Sequence, residues 1–350
     1  MRGTGDAGVR VLLIRLSSIG DVVHTLPTLA ALARAGHEAG WLVEPASRVL
    51  LDGQPLLAQV APVPAAKAFR LGVARETVRA LRARRYDVAL DFQGLWKSAA
   101  WARLSGARRV VGFAGPWRRE SPSTLLVGER VELPREAVHV IDKNLALLRP
   151  LGIDALGLRE FPLPEAPASA EQVERALVQL GVGPFAILNP GGGWASKLWP
   201  AESFGAVARG LRERGLSAVV TWGPGEEALA DRVVAASAGA AVRSFATSLL
   251  DYVALARRAR LVVAADTGTL HLACAVGSPV VALFGPTDPA RNGPFSPRDE
   301  VVRRVPPCSP CHRRVCPRHE GIMATIPPGE VLGAIDRRLA AAPSRDRLAV

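Results

Sequence analysis

Short runs of apolar residues alternate along this chain with segments in which apolar positions recur at the period of a helix. The first half predicts strands at residues 9–16, 38–43, 87–92 and 109–113, and helices near residues 22–34, 73–84 and 96–104. The second half predicts helices at residues 170–180, 201–213, 226–235 and 249–257, and strands at residues 185–189, 217–222, 241–245, 261–265 and 280–284. This alternation is typical of parallel α/β sheets with right-handed crossovers.

The proline-rich segment FPLPEAP at residues 161–167 separates the two series and is the predicted linker. A chain of 350 residues is too long for one ordinary hydrophobic core. Hydrophobic residues make up 49% of it and the mean hydropathy is +0.16, which is enough for two buried sheets. We therefore predict two domains, residues 1–165 and 166–350. Packing of the final helix against the first domain is an alternative that this prediction allows.

Two apolar features bear on the compartment of the protein. Residues 1–8 lead into the first strand without an apolar signal core, so we expect a cytoplasmic protein. Residues 267–287 carry no charged side chain, and their length raises the question of a membrane span. Because glycine and proline interrupt that stretch, we interpret it as buried core.

The positive charge of the chain is concentrated in one segment of the first domain. The formal net charge is +12, and residues 60–119 hold thirteen basic and three acidic side chains, a net +10. A field of this kind attracts nucleic acid, a phosphorylated substrate or an anionic membrane face, whereas the ordinary interpretation is a solvated arginine-rich helix face. Because no nucleic-acid module is present, we expect an anionic substrate or membrane surface and no nucleic acid.

A nucleotide-diphosphate pocket is predicted in the segment DTGTLHLACAVGSPVVALFGPTD, where a strand ends and a helix begins. Helix N-termini present backbone N–H groups to anions, so Thr267, Gly268 and Thr269 are predicted to contact the phosphates. A carboxylate repels a diphosphate, so we expect Asp266 to cap the helix instead. His271 fits a structural role and a ligand contact equally well.

A glycine-rich loop, PGGGWASKLWP, follows the first strand of the second half. Gly191, Gly192 and Gly193 allow its backbone to approach a ligand closely. Lys197, one of four lysines beside forty arginines, is expected to neutralise a leaving diphosphate, the alternative being a surface lysine. Glu227, in the next loop, either accepts ribose hydroxyls or is an ordinary acid in the first turn of a helix.

Asp21 follows the first predicted strand at the sheet edge where ligands of α/β proteins bind. It is either an N-cap or the base that takes a proton from an acceptor hydroxyl during sugar transfer. Ser17 and Ser18 either position that acceptor or cap the turn, and His24 is interpreted as structural. The segments SSIGD and PGGGWASKLWP follow the first predicted strand of each half, and neither has the G-x-G-x-x-G pattern of a dinucleotide-binding site. A dehydrogenase is therefore not favoured.

These segments together resemble one enzyme family. SSIGDVVHTLP, DFQGLWKSA, NPGGGWASKLWP, WGPGEE, DTGTLHLACAVGSPVVALFGPTDP and CSPCHRRVC occur in that order over nearly the whole chain. The chain resembles glycosyltransferase family 9, the bacterial lipopolysaccharide heptosyltransferases. The resemblance implies a GT-B fold, in which two Rossmann-like parallel-sheet domains face a cleft, the first binding acceptor and the second the nucleotide-sugar donor.

The resemblance also implies the reaction: inverting, metal-independent transfer of heptose from ADP-heptose to the Kdo-lipid A inner core, at the inner face of the cytoplasmic membrane. It implies roles for individual residues: Asp21 as base; Gly192, Gly193, Lys197, Glu227, Asp266, Thr267, Gly268 and His271 at the donor; and Ser17, Ser18 and Lys97 at the anionic acceptor. No cofactor is implied. The opening SSIGD resembles the first heptosyltransferase slightly more than the second.

Metal sites receive little support from the sequence. No two aspartates stand two positions apart, so the chain lacks the Asp-x-Asp pair with which other glycosyltransferases hold a cation. Cys274 is expected in the core, and disulfides are not expected in the cytoplasm. Cys308, Cys311 and Cys316, with His312 and His319 nearby, leave a structural zinc site as an alternative.

Three other functions stay open at this point. A transferase of the second heptosyltransferase type would act on a heptosylated core. A nucleotide-sugar epimerase of similar fold would convert the donor without an acceptor, and a non-catalytic binder would hold the donor without any reaction.

Overall fold

The computed structural model describes residues 8–63, 71–311, 313–316 and 321–341. The chain divides into two compact units, Met1–Glu165 and Ala166–Val350. Each unit is an α/β structure built around a parallel sheet, so the predicted α/β class is confirmed.

The first unit contains a sheet of six parallel strands in the described residues. The strands are β1 Arg10–Ile14, β2 Glu38–Val43, β3 Leu57–Pro62, β4 Val88–Asp91, β5 Arg109–Phe113 and β6 Glu129–Val131. Their order across the sheet is β3-β2-β1-β4-β5-β6, the doubly wound Rossmann order. All six strands are parallel, and the order in which successive strands are added reverses between β1 and β4. Ligands of such sheets bind at that switch point.

The second unit repeats this order with the strands that the structure describes after residue 166. They are β7 Phe185–Asn189, β8 Ser217–Val220, β9 Ala241–Arg243, β10 Leu261–Ala265, β11 Val280–Phe284 and β12 Glu300–Arg303. The order is β12-β11-β10-β7-β8-β9, so the switch point lies between β7 and β10. The loops that leave these two strands are the ones in which the sequence predicts the donor site.

Helices connect the strands of both sheets. Those of the first unit are α1 Ile19–Val23, α2 Leu26–Arg34, α3 Pro45–Arg48, α4 Leu71–Ala83, α5 Trp96–Leu104 and α6 Val140–Ala146. Those of the second are α7 Pro167–Gln179, α8 Ala201–Glu213, α9 Glu227–Ala236, α10 Leu249–Arg258, α11 Gly268–Ala275, α12 Pro289–Asn292 and α13 Pro328–Ala340. None of these helices, as far as the described ranges extend, is long and apolar enough to cross a membrane.

Each unit has its own hydrophobic core. In the first, strand residues such as Leu12 and Ala89 pack with Trp101 of α5. In the second, Val263 and Leu283 of the central strands pack with Phe204 of α8. The uncharged stretch at residues 267–287 forms α11 and β11, and every residue of β11 is buried, which confirms its interpretation as core.

The helix predicted at residues 22–34 is two helices, and this prediction was wrong. Ser18 is the N-cap of α1, which ends at Val23, and α2 begins at Leu26. Pro27 has no N–H, and its ring clashes with the carbonyl four residues before it, so one continuous helix cannot form. As a result, Asp21 lies in the first turn of a short helix directly after β1.

Three strands and several short helices are absent from the sequence prediction. β3, β6 and β12 lie at sheet edges and are only partly buried. Edge strands face solvent on several sides, so their residues lack the continuous apolar run that marks the central strands. The final helix, α13, packs against α8, β11 and β12 of its own unit, where Arg338 forms a buried ion pair with Asp299 at 2.8 Å.

Candidate active site

Asp21 is held at the carboxyl end of β1 by the turn that begins α1. It is the third helical residue, and its Oδ2 accepts hydrogen bonds from the backbone N–H and the hydroxyl of Ser18, both at 3.2 Å. Ser18, not Asp21, is therefore the N-cap, although the Asp21 carboxylate forms half of the capping box. The Asp21 side chain is 21% exposed, so one side of it remains accessible.

Two arginines set the charge state of Asp21. Burial raises the pKa of Asp21, but Arg15, Arg119 and the hydrogen bonds from Ser18 outweigh that effect and lower the pKa below its ordinary value. Arg15 lies 3.9 Å from Asp21 Oδ1 and is itself buried. The carboxylate is thus ionised near neutral pH, as a general base must be.

The remaining residues of the SSIGD turn differ in exposure. Ser17 is half-buried and Ser18 is exposed. His24 is buried, and its ring lies edge-to-face with that of His139, with 5.6 Å between the ring centroids. Ser18 therefore both caps the helix and fixes the Asp21 carboxylate, whereas His24 packs inside the unit.

Lys97 lies in the first turn of α5 and is 40% exposed. Its ammonium forms an ion pair with Glu44, which follows β2. Leu16 at the end of β1 accepts a hydrogen bond from the Glu44 backbone at 2.9 Å, so this pair lies beside the loop that carries Asp21. The structure thus brings Lys97 and Asp21 to the same edge of the first sheet.

Part of the basic cluster at residues 60–119 is structural. Arg118 and Asp91 form a fully buried ion pair at 3.0 Å, and Arg109 forms a two-pronged pair with Glu129 at 2.6 and 2.7 Å. Lys67 and Arg70 lie outside the described residues. The sequence count therefore overstates the charge available to a ligand.

Asp266 does not cap α11, and this prediction was wrong. The N-cap is Thr267, while the buried Asp266 carboxylate binds side chains from four segments of the second unit. Its partners are Lys197 Nζ at 2.6 Å, Asn292 Nδ2 at 2.6 Å, Thr287 Oγ1 at 2.8 Å and His271 Nε2 at 3.2 Å. A buried carboxylate requires such donors, because burial of an unpaired charge is costly.

These partners determine the ionisation of Asp266. Burial raises its pKa, but His271 and Lys197 outweigh this effect and hold the pKa far below its ordinary value. Lys197 also donates to the Asp266 backbone carbonyl at 2.9 Å and lies over the Trp194 ring at 4.5 Å. The Lys197 side chain is 14% exposed, so the alternative of a surface lysine is wrong.

The N-terminus of α11 has the arrangement expected of an anion site. Thr267 and Thr269 share a hydrogen bond at 2.8 Å, and Thr269 donates to Asn189 Oδ1 at 2.7 Å. Asn189, at the end of β7, in turn donates to Thr221 at 3.0 Å. These hydrogen bonds hold the two hydroxyls at the edge of the sheet. The N–H groups in the first turn of a helix have no acceptor within the helix, so those of α11 can donate to a bound anion.

The glycine-rich loop is held by a residue that sequence reasoning missed. Glu226 accepts hydrogen bonds from the backbone N–H groups of Gly192 and Gly223, both at 2.9 Å, and so joins the loops after β7 and β8. Glu227 is half-buried and makes no side-chain hydrogen bond within the part of the chain that the structure describes. The sequence alone does not indicate which of the two adjacent glutamates, Glu226 or Glu227, binds the loop.

The cysteine segment packs on the same loops. The backbone N–H and the hydroxyl of Ser196 donate to the carbonyls of Arg314 and Arg313 at 3.0 and 2.5 Å, respectively. Cys308, Cys311 and Cys316 form no disulfide within the described part of the chain, and Cys274 is buried. His312 and His319 lie outside the described residues, and the residues that are described contain no group of three side chains suited to a metal ion.

The comparison with protein families decides the classification. The model of glycosyltransferase family 9 (heptosyltransferase) matches residues 74–321, more than half of the chain. The chain belongs to glycosyltransferase family 9. It is thus an enzyme of the heptosyltransferase family, as its motifs indicate.

Individual relatives agree with this family assignment. The chain is 33% identical over 319 residues to lipopolysaccharide heptosyltransferase 1 of Pseudomonas aeruginosa, covering 88% of this chain and 87% of that protein. It is 29% identical to the heptosyltransferase 1 of Escherichia coli K12, with 85% and 94% of the two chains covered. A solved structure of the E. coli heptosyltransferase WaaC with ADP has a TM-score of 0.74 and 25% identity, covering 94% of this chain and 99% of that chain. The predicted GT-B fold is confirmed.

Proposed function

We propose that this family 9 enzyme transfers heptose from ADP-heptose to the Kdo-lipid A inner core of lipopolysaccharide, with inversion at the anomeric carbon and without a metal ion. Both relatives compared above carry the name heptosyltransferase 1. The observation that carries the proposal is the ionised Asp21 carboxylate at the switch point of the first sheet, in a chain whose second sheet presents cationic and amide donors at its own switch point.

Asp21 acts as the base of this reaction. Its carboxylate takes the proton from the acceptor hydroxyl while the hydroxyl oxygen attacks the anomeric carbon and the bond to the diphosphate breaks. Ser18 holds Oδ2, so Oδ1 is the oxygen that receives the proton. Ser17 and Ser18 line the turn on which the acceptor is positioned.

The second unit stabilises the leaving ADP. An ammonium has three donor hydrogens, and two of those of Lys197 go to Asp266 among the described residues, which leaves the third for a phosphate oxygen. Thr267 and the N–H groups of Gly268 and the first turn of α11 bind the same phosphates. These donors act where negative charge grows as the glycosidic bond breaks, so they lower the barrier.

The nucleoside lies on the loops after β7 and β8 in this proposal. Gly192 and Gly193 let the backbone approach the donor, and His271 acts through Asp266. Because the carboxylate of Glu226 is occupied by two backbone amides, Glu227 is the residue left to accept hydrogen bonds from the ribose hydroxyls.

The acceptor is an anionic glycolipid, and the basic side chains of the first unit support this assignment. Lys97 is partly exposed and would exchange Glu44 for a phosphate or carboxylate of the acceptor. Arg119, exposed beside Asp21, extends the positive surface. We propose peripheral contact with the inner face of the cytoplasmic membrane, residues 1–165 as the acceptor-binding domain, residues 166–350 as the donor-binding domain, and no nucleic-acid partner.

The deciding experiment is a transfer assay with purified protein, ADP-heptose and defined acceptors, read by mass spectrometry. We expect one added heptose on Kdo-lipid A. Product only on an already heptosylated core would assign the second heptosyltransferase type, and donor conversion without acceptor would assign an epimerase. The Asp21→Asn variant is expected to lose about 10²- to 10⁴-fold in rate, the usual effect of a positioned base.

The same variant separates catalysis from binding. Because Asp21 is not among the donor-binding residues, Asp21→Asn should bind ADP as the unsubstituted enzyme does. An unchanged transfer rate in Asp21→Asn would refute the base assignment, and a non-catalytic binder would show no turnover in either protein.

A further inference from the structure

Asn144 of α6 is a buried amide that joins three separate segments of the first unit. Its Nδ2 donates to the backbone carbonyl of His24 at 3.0 Å and to Thr25 Oγ1 at 3.1 Å. Its Oδ1 accepts from Arg15 Nη2 at 3.4 Å. One side chain with no exposed surface thus contacts the end of β1 and the break between α1 and α2.

The contact with Thr25 leads directly to the backbone of Asp21. Thr25 Oγ1 donates to the Asp21 carbonyl at 2.8 Å. A hydroxyl has one hydrogen, so Thr25 must accept from Asn144 while it donates to Asp21. The direction of this chain of hydrogen bonds is therefore fixed by the Asn144 amide.

The contact with Arg15 leads to the carboxylate of Asp21. The guanidinium is planar, so a hydrogen bond at Nη2 restricts the direction of Nη1 as well. Nη1 lies 3.9 Å from Asp21 Oδ1, the oxygen that does not bind Ser18. Arg15 is also the largest single influence that lowers the pKa of Asp21.

We propose that Asn144 is a positioning residue for the base, acting on the Asp21 backbone through Thr25 and on the Asp21 carboxylate through Arg15. The proposal rests on the base role of Asp21 given under Proposed function. Two routes from one buried amide converge on the same residue, and a residue needed only for packing would not require this donor and acceptor pattern.

Other charged groups surround Asp21 and must be kept constant in any test. Arg119 lowers the pKa of Asp21 from the loop after β5. Helix α3 packs against α1, and its neighbouring charges are paired, Glu44 with Lys97 and Arg48 with Asp52. His24 follows on the same helix, and α6 carries Asp142, which is paired with Arg159, and Lys143, which lies over Trp117.

Two substitutions test the proposal in the full-length enzyme. Asn144→Leu keeps the branched shape of the side chain and removes both routes, and we expect kcat/KM to fall by about 10- to 10²-fold, as small misplacements of catalytic groups do. Asn144→Asp adds a negative charge that competes for Arg15. It should raise the pKa of Asp21, so the acidic limb of the kcat/KM profile should move to higher pH by about one unit.

The Asp21→Asn background distinguishes positioning from general damage. If Asn144 acts through Asp21, Asn144→Leu should cause little further loss of the residual rate in Asp21→Asn. Ser105→Ala, which removes another buried hydrogen bond of the first unit at the far end of α5, should leave kcat/KM and the pH profile unchanged. ADP affinity should be unchanged in all of these proteins.

Two results would overturn the proposal: an unshifted acidic limb in a folded Asn144→Asp variant, or equal fold losses from Asn144→Leu in both backgrounds. If Asn144→Leu does not fold, the Asn144→Asp profile alone decides. Failure of the underlying base assignment is recognised separately, because Asp21→Asn would then retain its rate.

Discussion

Asp266 binds polar and charged side chains from several segments of the second unit. Its carboxylate binds the ammonium of Lys197 as well as the side chains of Thr287 and Asn292. A long lysine side chain loses several rotatable degrees of freedom when it binds a ligand, and this pairing fixes the ammonium beforehand. In the proposed donor site, Asp266 therefore orients the Lys197 ammonium for the diphosphate and does not contact the diphosphate itself.

Substitution of Lys197 tests this role. Lys197→Met keeps the apolar stem and removes the charge that stabilises the leaving group, so we expect kcat to fall by about 10²- to 10³-fold. ADP affinity should fall as well. Lys143→Met is a matched control, because Lys143 also lies over a tryptophan ring, at 5.1 Å from Trp117, but in the first unit.

Calorimetry with ADP and steady-state kinetics measure the two effects. Lys143→Met should bind ADP with unchanged affinity. Equal ADP affinities in Lys197→Met and in the unsubstituted enzyme would show that Lys197 does not contact the diphosphate.

At the scale of helices and strands, the sequence located the central elements well and the periphery poorly. β7, β10 and β11 are continuous apolar runs because both faces of a parallel sheet are covered, and such runs are legible in a sequence. β6 and β12 each mix charged with apolar residues, and nothing in three or four such residues distinguishes an edge strand from a loop.

The candidate site likewise contains residues whose positions the sequence predicts and residues whose contacts it does not predict. The positions of Asp21 and Lys197 at the sheet edges could be predicted, because each follows a recognisable strand. The contacts of Arg15, Asn144 and Glu226 could not be predicted, because each is a hydrogen bond to a residue distant in the sequence or to a backbone amide. The sequence predicts Asp266 as a helix cap, whereas its partners Thr287 and Asn292 come from the segment between β11 and β12, which only the folded sheet brings close.

The clamp between the loops after β7 and β8 gives a prediction about stability. A Cβ at Gly191 would lie 2.0 Å from Glu226 Oε2, so Gly191→Ala must displace the carboxylate and leave the amides of Gly192 and Gly223 without their acceptor. We expect a loss of about 1–3 kcal/mol in the free energy of unfolding, which lowers Tm by several degrees.

Gly193→Ala is the matched control in the same loop. A Cβ there would meet nothing within 4 Å, so thermal unfolding of the ligand-free Gly193→Ala protein should occur at the unsubstituted Tm. Equal Tm values for the two variants would mean that the Glu226 clamp contributes nothing to the stability of the loop.

At the scale of the whole molecule, the two units have similar net charges but differ in how the charge is distributed and in their candidate chemistry. Residues 60–119 account for a net +10 of the formal +12, whereas the candidate donor-binding residues all lie beyond residue 166. Arg118 and Arg109 are committed to Asp91 and Glu129, so the charge available to an acceptor comes from other residues such as Arg119 and the partly exposed Lys97. One unit thus suits an anionic acceptor, and the other has the donors required for a diphosphate.

This division predicts that the donor site is complete within the second unit. The fragment of residues 166–350 has its own six-stranded sheet and hydrophobic core over its described part, so it should unfold cooperatively on its own. Calorimetry should give an ADP Kd within about tenfold of that of the full chain, a difference below about 1.4 kcal/mol. Lys197→Met should weaken ADP binding by the same factor in the fragment and in the full chain. A cooperatively folded fragment that fails to bind ADP, beside a full chain that binds it, would show that residues of the first unit are needed to hold the nucleotide.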